Sequence, residues 1–297
     1  MQLHRLTTQI VGCAAMALAF TVNAHALSNQ TFISVSGHDS GTCPSADPCA
    51  SITYALTQTN PGGEIVIATS GVYTPATIDQ AVTVTAGGSV DASVSATTGN
   101  ALVINTTGNV TLNGFYVRGH GTATNGIVVE AVHNLRLFNL QVQYFMNNGI
   151  DFKSASSDLS VYGTTVVGNG HDGLILDAAD TRAYVEGSSF DDNVFAGADS
   201  GTGKLTIYNS SAHYNQIGFY AHGGTVTLSN DRAILNSIGL DVSAAGHLHF
   251  ANCLLSDNTT AWKVVPGGTL SGSNPGTTLV APGQATSGTP STATVLE

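Results

Sequence analysis

Within residues 190–242 the chain reads Phe190-Asp191-Asp192-Asn193-Val194-Phe195-Ala196-Gly197-Ala198-Asp199, then His213-Tyr214-Asn215-Gln216-Ile217-Gly218-Phe219-Tyr220, then Leu235-Asn236-Ser237-Ile238-Gly239-Leu240-Asp241. Each piece carries an asparagine, then a glycine, then an apolar residue beside a polar one. Working outward, the glycine recurs as Gly126, Gly149, Gly173, Gly197, Gly218, Gly239 and, as a small residue, Ala261, in steps of 23, 24, 24, 21, 21 and 22 residues. A second column, Gly114, Asn139, Gly163, Gly187, Asn209, Asn230 and Asn252, holds the two residue types that best tolerate a left-handed backbone. A third, Asn147, Asn169, Asn193, Asn215, Asn236 and Asn258, offers amides that can hydrogen-bond from one repeat to the next. Three columns at this period predict about seven coils, each with three corners or faces.

Between the columns apolar and polar residues alternate, as in Gly149-Ile150-Asp151-Phe152-Lys153, Gly239-Leu240-Asp241-Val242-Ser243 and Leu205-Thr206-Ile207-Tyr208-Asn209. Period two means short strands with one buried face. Such short strands leave no room for crossover helices, which excludes doubly wound and barrel α/β folds, and a propeller blade needs about 40 residues per repeat. A solenoid remains, in which each coil bonds only to its neighbours. Composition agrees: 34 glycines and 9% charged residues do not describe an ordinary helical domain.

The ends differ from the middle. Residues 1–26 carry Arg5 as their only fixed charge, an apolar stretch from Ile10 to Val22, and Ala24-His25-Ala26, which reads as a secretory signal cut before Leu27. Ile10-Val11-Gly12-Cys13 superficially resembles a lipoprotein box, but its apolar run follows the cysteine instead of preceding it. No second apolar run approaches the roughly 20 residues that span a bilayer, so the expectation is a secreted chain without a transmembrane segment. Cys43 and Cys49 are expected to form a local disulfide, consistent with export, and Cys253 to be a core thiol. Removing Arg5 takes the net charge from −11 to −12, which opposes polyanions and argues against nucleic acid as a partner. Residues 275–297, rich in Gly, Pro, Ser and Thr, read as a low-complexity tail.

Several segments besides the repeat carry a resemblance: Thr31-Phe32-Ile33-Ser34-Val35-Ser36-Gly37, the Cys43 to Cys49 loop, Ala50-Ser51-Ile52-Thr53-Tyr54-Ala55-Leu56, Gly62-Gly63-Glu64-Ile65-Val66-Ile67 and Gly71-Val72-Tyr73. Over residues 29–274 the chain resembles the bacterial right-handed parallel β-helix repeat proteins of the pectin lyase-like superfamily. The resemblance implies an all-β, right-handed parallel β-helix over residues 63–274. Residues 27–62 would supply a leading strand, the disulfide loop and a short helix that caps the N-terminal end. That superfamily includes pectate lyases, polygalacturonases, epimerases and proteins without known activity, so motifs must decide function.

No catalytic motif of the family is complete. A polygalacturonase pattern needs paired aspartates, then Gly-His-Gly, then Arg-x-Lys; here Gly119-His120-Gly121 precedes Asp191-Asp192 and no Arg-x-Lys exists. A polyuronate lyase needs cations or calcium to neutralise the substrate carboxylate. The basic residues Arg118, Arg136, Lys153, Arg182, Lys204, Arg232 and Lys263 are scattered, so a lyase would need a metal. Calcium is a possibility at the Asp172 to Asp180 and Asp191 to Asp199 stretches, although neither fits a known loop, and no metal ligand set or other cofactor is assigned.

Two outward surfaces carry candidate chemistry. After the glycine column, Val128, Asp151, Ile175, Asp199, Tyr220, Asp241 and Lys263 are expected to be exposed, beside Glu130, Lys153, Asp177, Gly201, His222, Ser243 and Val265. This would make an acidic groove of Asp151, Asp177 and Asp199 ending at Tyr220 and His222, or simply an ion-pair ladder with Lys153 between Glu130 and Asp177. On a second face Phe138, Tyr162, Glu186 and Tyr208 form one outward column beside Arg136 and Tyr184, suited to stacking on sugars or to cross-strand packing. Asp191 and His213 form a carboxylate and imidazole pair one coil apart. The reading is an exported β-helix that binds polysaccharide or a cell-envelope partner through Phe138, Tyr162, Tyr184, Glu186, Tyr208, Tyr220 and His222. The alternative is a polysaccharide-degrading enzyme, a glycoside hydrolase before a calcium-dependent lyase, drawing on Asp151, Asp177, Asp199, Asp191 and His213.

Overall fold

The computed structural model describes residues 27–272, 279–280 and 285–288. The signal sequence expected at 1–26 lies outside them. Short parallel strands follow one another around a triangular coil and build three sheets. Sheet 1 has 11 strands, from Ser28–Ile33 and Thr59–Ile67 to Thr269–Gly272. Sheet 2 has ten, from Gly71–Tyr73 to Leu279–Val280, and sheet 3 has ten, from Ala76–Ile78 to Ala285–Ser287. The solenoid completes about nine turns, two more than the glycine and asparagine columns predict. The earlier coils lack the signal because Ala86 and Ala101 stand where later coils have Gly114 and Gly126. Past residue 274, Leu279–Val280 and Ala285–Ser287 still pair with the coil before them.

Each column answers a different physical demand. The second is conformational: Gly114, Asn139, Gly163, Gly187, Asn209, Asn230 and Asn252 all have positive φ, between 50° and 82°. The first is steric. A Cβ on Gly218 would lie 2.6 Å from the Gly239 carbonyl oxygen, and one on Gly197 2.7 Å from that of Gly218, so glycine is there to let adjacent coils touch.

The third column is a buried amide ladder. Asn169, Asn193 and Asn215 each donate from Nδ2 to Oδ1 of the next asparagine, at 2.9, 3.2 and 3.0 Å, and Asn236 to Asn258 at 3.1 Å. Each receiving Oδ1 also accepts the backbone N–H of the asparagine before it. Asn147 is a correction: it is exposed and stands outside the ladder. The ladder position in its coil belongs to Phe145, whose N–H donates to Asn169 Oδ1 at 3.2 Å.

Inward-facing Leu135, Leu159, Leu205, Val226 and Leu248 stack in register on sheet 1, and Ile150, Leu174, Ala198, Phe219 and Leu240 on sheet 3, forming one continuous core. The helix Ile52–Gln58 begins at Ser51, whose hydroxyl accepts the Tyr54 N–H, and buries Ile52, Ala55 and Leu56 against the first strands of sheets 1 and 3. At seven residues it depends on that burial for its stability. Cys43 and Cys49 form a disulfide, and both backbones bond to the strand Ser28–Ile33 or its end through Phe32 and Ser34. Cys253 is buried, and burial pushes its thiol up to about 12.

Candidate functional site on sheet 3

The register of sheet 3 places Val128, Asp151, Ile175, Asp199, Tyr220, Asp241 and Lys263 side by side on the outward side of the backbone. Outward does not mean exposed here. Val128, Asp151, Asp199 and Asp241 are buried, which corrects the expectation. With coils about 4.8 Å apart, a short side chain between bulky neighbours is shaded by them, and Asp199 stands between Ile175 and Tyr220.

The carboxylates fall into different electrostatic settings. Asp151 is bound by Lys153, just past the end of its own strand, Nζ to Oδ2 at 2.9 Å; this contact, more than Glu130 or Asp177, raises the Lys153 pKa. Asp241 is held by Lys263 at 3.3 Å, while burial pushes its carboxyl upward. Asp199 has no such cation. Its Oδ1 is buried without a hydrogen-bond partner, and its Oδ2 lies 3.7 Å from His222 Nδ1. Burial, reinforced by the charges of Asp172 and Asp177, raises Asp199 to about 8, so the carboxyl carries a proton at neutral pH. Asp177 is exposed and faces the space over Gly201, where a Cβ would come within 3.1 Å of Asp177 Oδ1.

A band of rings borders these carboxyls. His171 stacks on Phe195 with centroids 4.8 Å apart, Phe195 meets Tyr220 edge-on at 5.9 Å, and Tyr220 stacks on His222 at 5.1 Å. Beneath His171, Asp172 accepts its Nδ1 at 2.8 Å and the Ala196 N–H at 3.0 Å, and burial raises its carboxyl. Tyr220 is raised by burial and then by Asp241, Asp199 and Asp172. The sequence reading found Asp199, Tyr220 and His222. It missed His171 and Phe195, which precede the glycine column by two residues at the corner and not on the strand. A fourth column, two residues before the glycine and made of Asn147, His171 and Phe195, is the signal that would have found them; their backbones bond in that order.

The other expected sites have separate locations. On sheet 1, Phe138, Tyr162, Glu186 and Tyr208 align as expected, with Tyr184 in the neighbouring column. Phe138 and Tyr162 stack nearly parallel at 5.1 Å, so each occupies a face of the other, and Tyr184 donates to Glu186 at 3.1 Å. Arg136 is exposed beside them. On sheet 2, His213 Nδ1 lies 2.9 Å from Asp191 Oδ1, a half-buried pair on a different sheet from Asp199 and Tyr220. Among the described residues, no three His, Cys, Asp or Glu side chains stand together as a set able to hold a metal ion, and no helix is long and apolar enough to cross a membrane.

The fold has counterparts among solved structures. Among solved structures the chain is similar to an alginate lyase from Paenibacillus sp. str. FPU-7, with a TM-score of 0.68 and 14% identity, covering 90% of this chain and 100% of that one. It is also similar to the pectate lyase Pel9A, with a TM-score of 0.60 and 14% identity, covering 91% of this chain and 80% of that one. The chain thus shares the right-handed parallel β-helix architecture of these two structures. No protein-family model matches the chain, and no curated protein matches it in sequence.

Proposed function

We propose that the chain is exported and binds a polysaccharide laid along the outward face of sheet 3, over the three coils carrying His171, Phe195, Tyr220 and His222. The observation that carries this reading is the band of rings from His171 through Phe195 and Tyr220 to His222, which crosses three coils on one face. Sugar rings present apolar C–H faces to Phe195 and Tyr220, and their hydroxyls can hydrogen-bond the exposed His171, Asp177 and His222 beside them. The band spans about 10 Å, the rise of two coil steps, which suits two sugar residues. The two lyase structures support a carbohydrate ligand, and the Cys43 and Cys49 disulfide fits an oxidising compartment. A secreted chain would then begin at Leu27.

A second reading is favoured by the protonation state of Asp199. A carboxyl protonated at neutral pH is what a general acid requires, and exposed Asp177 across Gly201 would be the second carboxylate of a glycoside hydrolase. One experiment separates the readings. Binding to a glycan panel is followed by calorimetry while the same mixtures are assayed for reducing ends and unsaturated products. Phe195→Ala with Tyr220→Ala should abolish binding, whereas Tyr162→Ala with Tyr208→Ala on sheet 1 should leave it intact. Products lost in Asp199→Asn would establish the hydrolase, and binding lost only in the sheet 1 pair would move the ligand to that face.

A further inference from the structure

We propose that a second saccharide site lies away from the sheet 3 face, in a groove at the corner between sheets 1 and 2, and that it takes a neutral, hydroxyl-bearing sugar unit. Three successive coils pass from sheet 1 to sheet 2 in two residues each, Gly114-Phe115, Asn139-Leu140 and Gly163-Thr164. In the coil before them five residues, Gly87 to Asp91, stand in that place between Val82–Ala86 and Ala92–Ser95. They form an exposed turn, closed by the Val90 N–H on the Gly87 carbonyl oxygen at 2.8 Å. The turn is fixed in position. Val90 packs on the core, the Asp91 N–H donates to Ser70 Oγ at 2.9 Å, and the Asp91 carbonyl oxygen accepts the Gly71 N–H at 2.9 Å. Between this turn and the following corners runs a groove of about 430 Å³, within the size range of small-ligand sites.

The groove offers one ring and a mixture of hydrogen-bonding groups. Tyr116, Gln141 and Thr165 stand side by side on consecutive coils, over two coil steps or about 10 Å, a length that suits two sugar residues. The Arg118 guanidinium lies 4.3 Å from the centroid of the Tyr116 ring and holds that ring in place. Gln141 Nε2 donates to Gln143 Oε1 at 2.7 Å, which leaves Gln141 Oε1 as an acceptor. Thr165 Oγ1 accepts from Ser189 Oγ at 3.3 Å, which leaves its own O–H to donate. The Asn139 amide and the Ser89 hydroxyl border the same space and add both roles. A sugar hydroxyl donates and accepts at once, as this lining requires, whereas an ammonium only donates and a carboxylate only accepts. Among the described residues lining the groove only Asp91 is charged; it repels an anionic ligand, and Arg118 beside Tyr116 repels a cationic one.

The test is heteronuclear amide NMR of the full chain, titrated with the tetramers of cellulose, xylan, mannan and laminarin, and with galacturonate and glucosamine tetramers as charged comparisons. At least one neutral tetramer should saturably shift the Asn139 and Gln141 side-chain amides and the Gly88 and Gly114 backbone amides at millimolar concentration. Tyr116→Ala should weaken that binding about ten-fold. Gln141→Ala, whose side chain points outward, should weaken it by a smaller factor read at Asn139 and Gly88, and it serves as the second variant should loss of the Tyr116 ring release Arg118. Amide signals elsewhere, unchanged in each variant, verify the fold. Phe195→Ala with Tyr220→Ala should leave the groove shifts intact while removing those on sheet 3, so either site can fail while the other stands. No saturable shift at the groove with any neutral tetramer would overturn the site, and so would full affinity in a correctly folded Tyr116→Ala or Gln141→Ala. Tighter binding of a charged tetramer at the same amides would overturn the neutral class.

Discussion

The amide ladder makes the sharpest prediction about what holds the solenoid together. Asn215→Ala removes four side-chain hydrogen bonds: Oδ1 accepts the Asn193 N–H at 2.9 Å and Asn193 Nδ2 at 3.2 Å, and Nδ2 donates to the Phe190 carbonyl at 2.9 Å and to Asn236 Oδ1 at 3.0 Å. Asn193 Nδ2 retains the Val166 carbonyl and Asn236 Oδ1 retains the Asn215 N–H, but the Asn193 N–H and the Phe190 carbonyl are left buried without these partners. At about 1 kcal/mol per bond, the loss should be about 4 kcal/mol. Asn147→Ala, in a residue of the same type outside the ladder, should change stability by about 0.5 kcal/mol or less. Urea unfolding of both variants, followed by far-ultraviolet circular dichroism at one pH, reads the difference directly. Losses within about 1 kcal/mol of each other would refute the argument that the ladder bonds, and not asparagine at a corner as such, stabilise the stack.

Two further predictions concern single groups. Asp199 is raised from the ordinary carboxylate range to about 8, so its contribution to stability is fully present below about pH 4, declines as the unfolded carboxyl ionises first, and is lost by the time pH passes 8. Asp199→Asn should therefore flatten the fall in melting temperature between about pH 5 and 8, leaving the parts due to Asp231, which burial raises to about 7, and to Asp172 and Asp241, which burial also raises; an unchanged slope would count against a protonated Asp199. Gly218→Ala should cost several kcal/mol, because its Cβ would meet the Gly239 carbonyl oxygen at 2.6 Å, whereas Gly187→Ala meets no atom within 4 Å and should cost about 1 kcal/mol for its positive φ. Equal melting temperatures would show that the coils can move apart to admit a methyl group.

The repeat was legible because its demands are local and recur: Gly and Asn best tolerate the left-handed backbone after sheet 1, and only a small residue fits where coils touch. It became illegible in the early coils, where Ala101 is the small residue at the close approach and Ala86 stands at the corner position without a left-handed backbone. The exception at Asn147 has the same origin. Residue type suggested the ladder, but distance from the glycine decides membership, and Asn147 sits two residues before Gly149 where Asn169 sits four before Gly173. Strand alternation correctly separated inward Ile150 from outward Asp151. It did not separate outward from exposed, because shading of Asp199 depends on Ile175 and Tyr220 one coil away on either side. The ring band escaped notice for a related reason: its members come from corners and strands of three coils, and only stacking brings His171, Phe195, Tyr220 and His222 together.

The identical rungs of the ladder have a consequence for how such a protein changes over generations. Asn193 donates to Asn215 as Asn215 donates to Asn236, so excising the 21 residues from Asn215 to Leu235 would present Asn193 with an equivalent acceptor in Asn236. Length is therefore a quantity that duplication and deletion can alter one coil at a time with little disturbance to neighbouring rungs. The carboxyl and ring surface has no such freedom. The same excision would remove Tyr220 and His222 and bring Asp241 up against Asp199, so three coils are tied to their order while those on either side remain interchangeable.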